Sequence, residues 1–399
     1  MNPKINPAFL KNHSLSELGL WLLIPFASLT SHTWLPIPPT MVLFLGAIIC
    51  WFFLQMKNES SHAANDSAKP NRQSSIVIRQ FKLIIPIFCL FTLYIFASQY
   101  FIGATFRNYM GAVFAPLYLI LILIFSEDTD TDFLKNLGQK FIRYSLIILC
   151  IEAVLRYSHS FYGLIFNPND YLGFYSFKFF GPMYLSSNAV ACHLVTLLFF
   201  MFWWGCTYKQ SMKKEIWIAL ILIALTLSRA AIPTVAIGLF YYAFFRNLNW
   251  KKSLYVLFSI GIVGVFAVLA LRYVITDHSF QSKFIIIDEA WIYYQTASLK
   301  NILFGIGFFE TGNIMSYYAH NYFLLFLMET GVVGLILLCA TLFILVKITN
   351  GAVMIVLIPF IIQTVTESNT FLPYFYVIMA LMVTIGIKHN HSQINPSRL

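Results

Sequence analysis

The chain is predicted to fold as an all-α polytopic bundle of transmembrane helices, with about twelve spans in one integral membrane domain over residues 1–399. Three observations predict it. Hydrophobic residues make up 59% of the 399 positions and charged residues 11%, with a mean hydropathy of +0.74, too apolar for a water-soluble fold. Apolar runs recur at close to the ~20 residues that cross a bilayer. Lys and Arg collect in every second connection, which is the positive-inside pattern.

The elements follow in order. Lys4 and Lys11 precede the first apolar stretch as in a signal peptide, but no clean small-x-small cleavage site follows, so an uncleaved span is predicted over 16–32. Further spans are predicted at 39–56, 83–102, 110–126, 141–156, 182–204, 216–228, 230–245, 253–274, 320–346, 352–366 and 371–387. The basic connections are 57–82, 127–143, 205–215, 246–252 and 347–351, which places both termini in the cytoplasm and 33–38, 103–109, 157–181, 227–231, 275–319 and 367–370 outside. Residues 57–82 are polar enough to read as a flexible cytoplasmic loop, and 275–319 is the main outer loop.

The net charge of +10 does not point to nucleic acid, because the basic residues lie in short loops between apolar runs rather than on one face. The six cysteines show no paired spacing, so neither a disulfide framework nor a metal site is implied. Asp128, Asp130 and Asp132 form an acidic run without the glycine and terminal glutamate of a calcium loop, and they fall on the cytoplasmic side. The aromatic residues of 157–181 suit either stacking on sugar rings or an interfacial belt.

Residues 216–245 are apolar except at Ser228-Arg229 and carry basic residues at both ends, which one crossing would leave on opposite sides. A hairpin satisfies both clusters. Its limbs would rise only ~20–24 Å, short of the ~30 Å hydrocarbon core, so Arg229 is predicted below the outer surface and facing a cavity. An arginine there either binds a ligand or pairs with a carboxylate such as Glu367. Arg107, Arg272, Lys283, Glu367 and His320 share its side, and outward guanidinium groups suit a phosphate-rich lipid substrate.

The stretch 301–335 places polar chemistry against the start of a span. Gly305 and Gly307 form a Gly-x-Gly turn that follows no strand, which excludes a dinucleotide site. His320-Asn321 then opens a helix containing Glu329, Gly331 and Gly334. The positive end of that helix favours a neutral, basic imidazole, so His320 reads either as an interfacial anchor or as a general base, and the shared side with Arg229 favours the base. Glu329 lies nine residues on, half a turn out of phase on a straight helix at about 100° per residue, and reads as a buried structural carboxylate.

Taken together, Leu227-Ser228-Arg229-Ala230-Ala231, Gly305-Ile306-Gly307, Ala319-His320-Asn321 and Glu329-Thr330-Gly331 with Gly334 resemble the bacterial O-antigen polymerase and O-antigen ligase family of membrane glycan transferases. The stretch from Phe180-Gly181 to Ser187-Asn188 looks like the family's Gly-to-Asn segment, and the likeness covers about 180–370. The resemblance implies a GT-C-like helical bundle, independent of metal and cofactor. It further implies action on undecaprenyl-diphosphate-linked glycans at the periplasmic face of the inner membrane. His320 would deprotonate the acceptor and Arg229 would hold the donor diphosphate, with Asn321, Gly305 and Gly307 supporting. Family members commonly carry an arginine early in the large outer loop; the nearest residues here are Arg272 and Lys283.

The implied partners are that donor, a glycan or lipid A core acceptor, the bilayer, and a chain-length regulator protein as a candidate. The short main loop and the two glycine-containing stretches favour a polymerase, with a ligase as the alternative. A flippase for the same lipid-linked sugars would also want many spans and an outward basic cavity, but no internal repeat is seen.

Overall fold

The computed structural model describes residues 14–30, 37–62, 72–127, 129–166, 175–179, 181–184, 186–245, 251–252, 278–316, 321–365 and 372–394. Among them the secondary structure is entirely helical. The elements are α1 (Leu15–Leu23), α2 (Pro39–His62), α3 (Arg72–Ile102), α4 (Phe106–Ser126), α5 (Thr131–Phe166), α6 (Ser187–Tyr208), α7 (Lys213–Leu225), α8 (Ala231–Phe245), α9 (His278–Thr296), α10 (Leu299–Phe304), α11 (Tyr322–Ile348), α12 (Met354–Thr364) and α13 (Pro373–Ile394), with short 3₁₀ turns at Tyr175–Lys178 and Glu310–Asn313.

Stretches of α2, α3, α4, α6 and α11 are long and apolar enough to cross a membrane. Several of the other predicted spans are shorter than the sequence suggested. The 16–32 run starts well, with Ser14 and Glu17 closing a reciprocal capping box, but its helix stops at Leu23. Pro25, which lacks an N–H and whose ring opposes the carbonyl four residues back, accounts for that stop. The 352–366 run yields only the 11 residues of α12, ~17 Å long. The predicted span at 253–274 lies outside the described residues.

Other helices are longer than predicted. α5 has 36 residues, ~54 Å, and absorbs parts of both flanking connections. Asp132 occupies its first turn and donates its backbone N–H to the Asp130 carboxylate, so these acidic residues start a helix. α2 continues to His62 and α3 begins at Arg72, so the stretch expected as a flexible loop over 57–82 is helical at both ends.

The core forms around α6, whose Cys192 through Met201 are all buried. It packs against α5, α7, α8, α12 and α13. Large apolar side chains elsewhere point outward: on α2 Leu45, Ile49, Phe52 and Phe53 are all exposed, a face suited to lipid. A second apolar cluster joins α3, α4 and α11 through Phe91, Tyr109, Phe326 and Phe308.

Gln139 donates to Gln210 at 2.6 Å, Arg143 lies 3.9 Å from Glu215, and the Lys388 ammonium donates to the Ser126 carbonyl at 2.7 Å, so connections predicted to share one side meet at one end. At the other end, Gly307 lies against Ile102 and Ala104, which joins the 103–109 connection to the main outer loop.

Candidate functional site

The described part of the site is a junction between the main outer loop and a break in α11. Gly331 has φ 71 and ψ −178, and Gly305 has φ 82 and ψ −174, a region of backbone space open essentially to glycine alone. The two glycines face each other reciprocally. A Cβ on Gly305 would collide with the 329–330 peptide, and one on Gly331 with the 303–304 peptide. Two main chains can approach this closely only where neither carries a side chain.

The break frees carbonyls that a continuous helix would have used, and the loop takes them up. Ile306 N–H donates to Met328 O at 2.9 Å, and Gly307 N–H to Glu329 O at 3.2 Å. Phe308 N–H donates to the Gln99 side-chain oxygen at 2.8 Å, and Phe309 N–H to the Glu329 carboxylate at 2.9 Å. Four consecutive N–H groups are thereby satisfied. From α3, the Gln99 amide donates to Glu329 O at 3.1 Å and the Tyr94 hydroxyl to Thr330 O at 2.6 Å. Broken helices persist at membrane depth only where protein groups replace the lost hydrogen bonds in this way.

Glu329 is 3% exposed, and its side-chain oxygen accepts the Phe309 N–H. α11 begins at Tyr322, two residues later than the predicted span, and Asn321 is its N-cap, the side-chain oxygen accepting from Leu324 N–H at 3.2 Å. His320 itself, Arg272 and Glu367 lie outside the described residues. Arg107 falls in the first turn of α4 and Lys283 on α9, where the backbone alone is described.

The stretch predicted as a hairpin holds two helices, α7 and α8, of 13 and 15 residues, joined by a turn. Both limbs pack on α6, α7 also against α5 and α8 also against α12. The turn holds Leu227 at φ 48, a strained conformation for leucine, and exposes Arg229. The Tyr157 hydroxyl donates to Leu225 O and ties this turn to α5. A small apolar cleft, lined in part by Ala153, Tyr157, Val190, Leu222 and Thr226, lies beside it.

The structure also brings in residues that the sequence reading did not select. Glu152 and Arg156 form a buried ion pair at 2.8 Å, both under 5% exposed. The guanidinium also donates to the Phe177 and Tyr184 carbonyls, and Glu152 accepts from Met183 N–H, so the pair clamps the Gly-to-Asn segment entering α6. Their i,i+4 spacing inside an apolar run was the available signal. Its hydrogen bonds are committed within the protein, so Arg156 reads as structural. His193 is likewise enclosed, stacked on Tyr374 at 3.6 Å with its ring nitrogens 2.6 Å from the Tyr184 hydroxyl and 3.2 Å from Ser28, and no substrate reaches it. Glu289 of α9 accepts from both the backbone and the hydroxyl of Ser316, fixing the far end of the outer loop. Gln99 and Tyr94 carried no sequence signal beyond being polar groups in an apolar helix.

Among the described residues these features define a helical protein with several apolar helices long enough to cross a membrane, in which the 298–316 stretch is hydrogen-bonded into a break in α11. Residues 216–339 match the protein-family model described as O-Antigen ligase, a stretch that spans the Arg229 turn, the Gly305–Phe309 ladder and the break at Gly331. Over those residues the chain is similar to that family. No curated protein matches the chain.

Proposed function

We propose that the chain is a glycan transferase of the bacterial inner membrane that joins undecaprenyl-diphosphate-linked oligosaccharide repeat units into polysaccharide at the periplasmic face, in the manner of an O-antigen polymerase. The observation that carries this reading is the coincidence of the family match with the loop–helix junction, which holds the start of α11 next to His320 in the sequence. His320 serves as the base that takes the acceptor hydroxyl proton as its oxygen attacks the anomeric carbon. Arg229, exposed on a strained turn, stabilises the departing lipid diphosphate, with Arg107, Arg272 and Lys283 as further phosphate contacts. The chemistry uses no metal. The bundle is GT-C-like with about twelve spans, both termini are cytoplasmic, and a chain-length regulator is a candidate partner.

A ligase that moves the glycan to lipid A core is the second reading, favoured by the wording of the matched family model. The glycan profile of a deletion strain separates the two. Core carrying a single repeat unit is expected for a polymerase, whereas bare core with accumulated lipid-linked polymer identifies a ligase. An unchanged profile would sink both.

Sidedness has its own readout. Leu299 is 71% exposed on the outer loop, and a membrane-impermeant maleimide is expected to label Leu299→Cys from the periplasm. Labelling only after the inner membrane is breached would reverse the topology.

A further inference from the structure

We propose that Gln99 is a positioning residue for the transfer reaction, acting through the break in α11 on the helix start that Asn321 caps. This rests on the reading that His320, directly before Asn321, carries the chemistry.

The first segment of α11, Tyr322 to Thr330, is a rigid rod of nine residues, ~13 Å long. Its sides are packed: Leu325 and Met328 against Ile286, Ala290 and Met315, and Phe326 against Phe91 and Phe308. What such packing leaves free is sliding and rotation of the rod, since apolar contact is not directional. Hydrogen bonds at the C-terminal end of the rod fix those two motions, and any displacement there is transmitted to Asn321. Two side chains of α3 bond both halves of this junction: the Tyr94 hydroxyl reaches Leu303 O and Thr330 O at 3.3 and 2.6 Å, and Gln99 uses two separate groups of one amide. Gln99 is completely buried, accepts from Phe308 of the loop at 2.8 Å and donates to Glu329 O of the rod at 3.1 Å. Its amide offers one acceptor and one donor in a fixed relation, so the loop cannot shift against the rod without breaking one bond.

The test uses the purified full-length protein in lipid nanodiscs, with lipid-linked repeat units extracted from the deletion strain as substrate. Gln99→Leu preserves bulk and removes both bonds. The expected result is a kcat lowered by about 10²-fold, the scale of a misplacement near 1 Å, with KM within about twofold and the melting temperature little changed. Gln99→Glu keeps the acceptor for Phe308, but its carboxyl donates to Glu329 O only while protonated. Its kcat, corrected for the folded fraction, is expected to fall with rising pH relative to the wild-type profile.

A folded Gln99→Leu protein with wild-type kcat, or one that loses only melting temperature, overturns the proposal. If Gln99→Leu does not accumulate, the pH profile of Gln99→Glu decides, and superposition on the wild-type profile overturns it. His320→Ala in the same assay reads the underlying function separately. Activity in that variant removes the reading on which the proposal rests, whereas an inactive His320→Ala beside a fully active Gln99→Leu removes the brace alone.

Discussion

Replacing His320 with alanine is expected to abolish elongation of the glycan in cells while the protein remains inserted and abundant. A positioned general base contributes about 10²–10⁴-fold to rate, enough to leave no long-chain product. The residue falls directly before the Asn321 cap and outside α11, so its loss leaves the Leu324 N–H satisfied and the helix start intact. Gel analysis of the glycan, with immunoblotting of the membrane fraction, gives the comparison. Long-chain polysaccharide at the wild-type level would remove His320 from the mechanism.

The second large effect is expected at Arg229. Arg229→Lys keeps the positive charge but replaces a planar fork that grips two phosphate oxygens at once with a single ammonium. The side chain is exposed on its turn, so the exchange should leave the packing of α7 and α8 on α6 undisturbed and report on ligand binding. Product is expected to fall tenfold or more at unchanged protein level, given that a lost bidentate contact to a charged group is worth about 1.5–3 kcal/mol. Wild-type product from Arg229→Lys would assign the arginine a structural role.

The sequence made some of this legible and hid the rest for physical reasons. The hairpin at Arg229 could be read because two basic clusters flank an apolar run and cannot both be satisfied by one crossing. Gly305, Gly307, Glu329 and Gly331 stood out singly as turn and helix-breaking residues. Their mutual docking did not, because backbone-to-backbone pairing between segments some twenty residues apart leaves no periodic trace. Gln99 was invisible for the same reason: its partners are main-chain atoms more than two hundred residues away. Loop boundaries inferred from Lys and Arg were too wide at 57–82 and 127–143, since charge marks where a chain leaves the bilayer and does not stop a helix from continuing into water. The helical-phase comparison of His320 with Glu329 assumed a helix that begins at residue 320, whereas α11 begins at Tyr322 with Asn321 as its cap.

The brace from α3 carries a consequence for how such a chain can evolve. The stretch that bears the family likeness begins at residue 216, yet Tyr94 and Gln99, which complete its junction, belong to the first third of the chain. The likeness therefore does not mark an interchangeable cassette. A recombinant that joined residues 216–339 to an N-terminal half lacking groups equivalent to Tyr94 and Gln99 would keep the Ile306 and Gly307 hydrogen bonds but leave Thr330 O and the Phe308 N–H open, so the two halves have to change together.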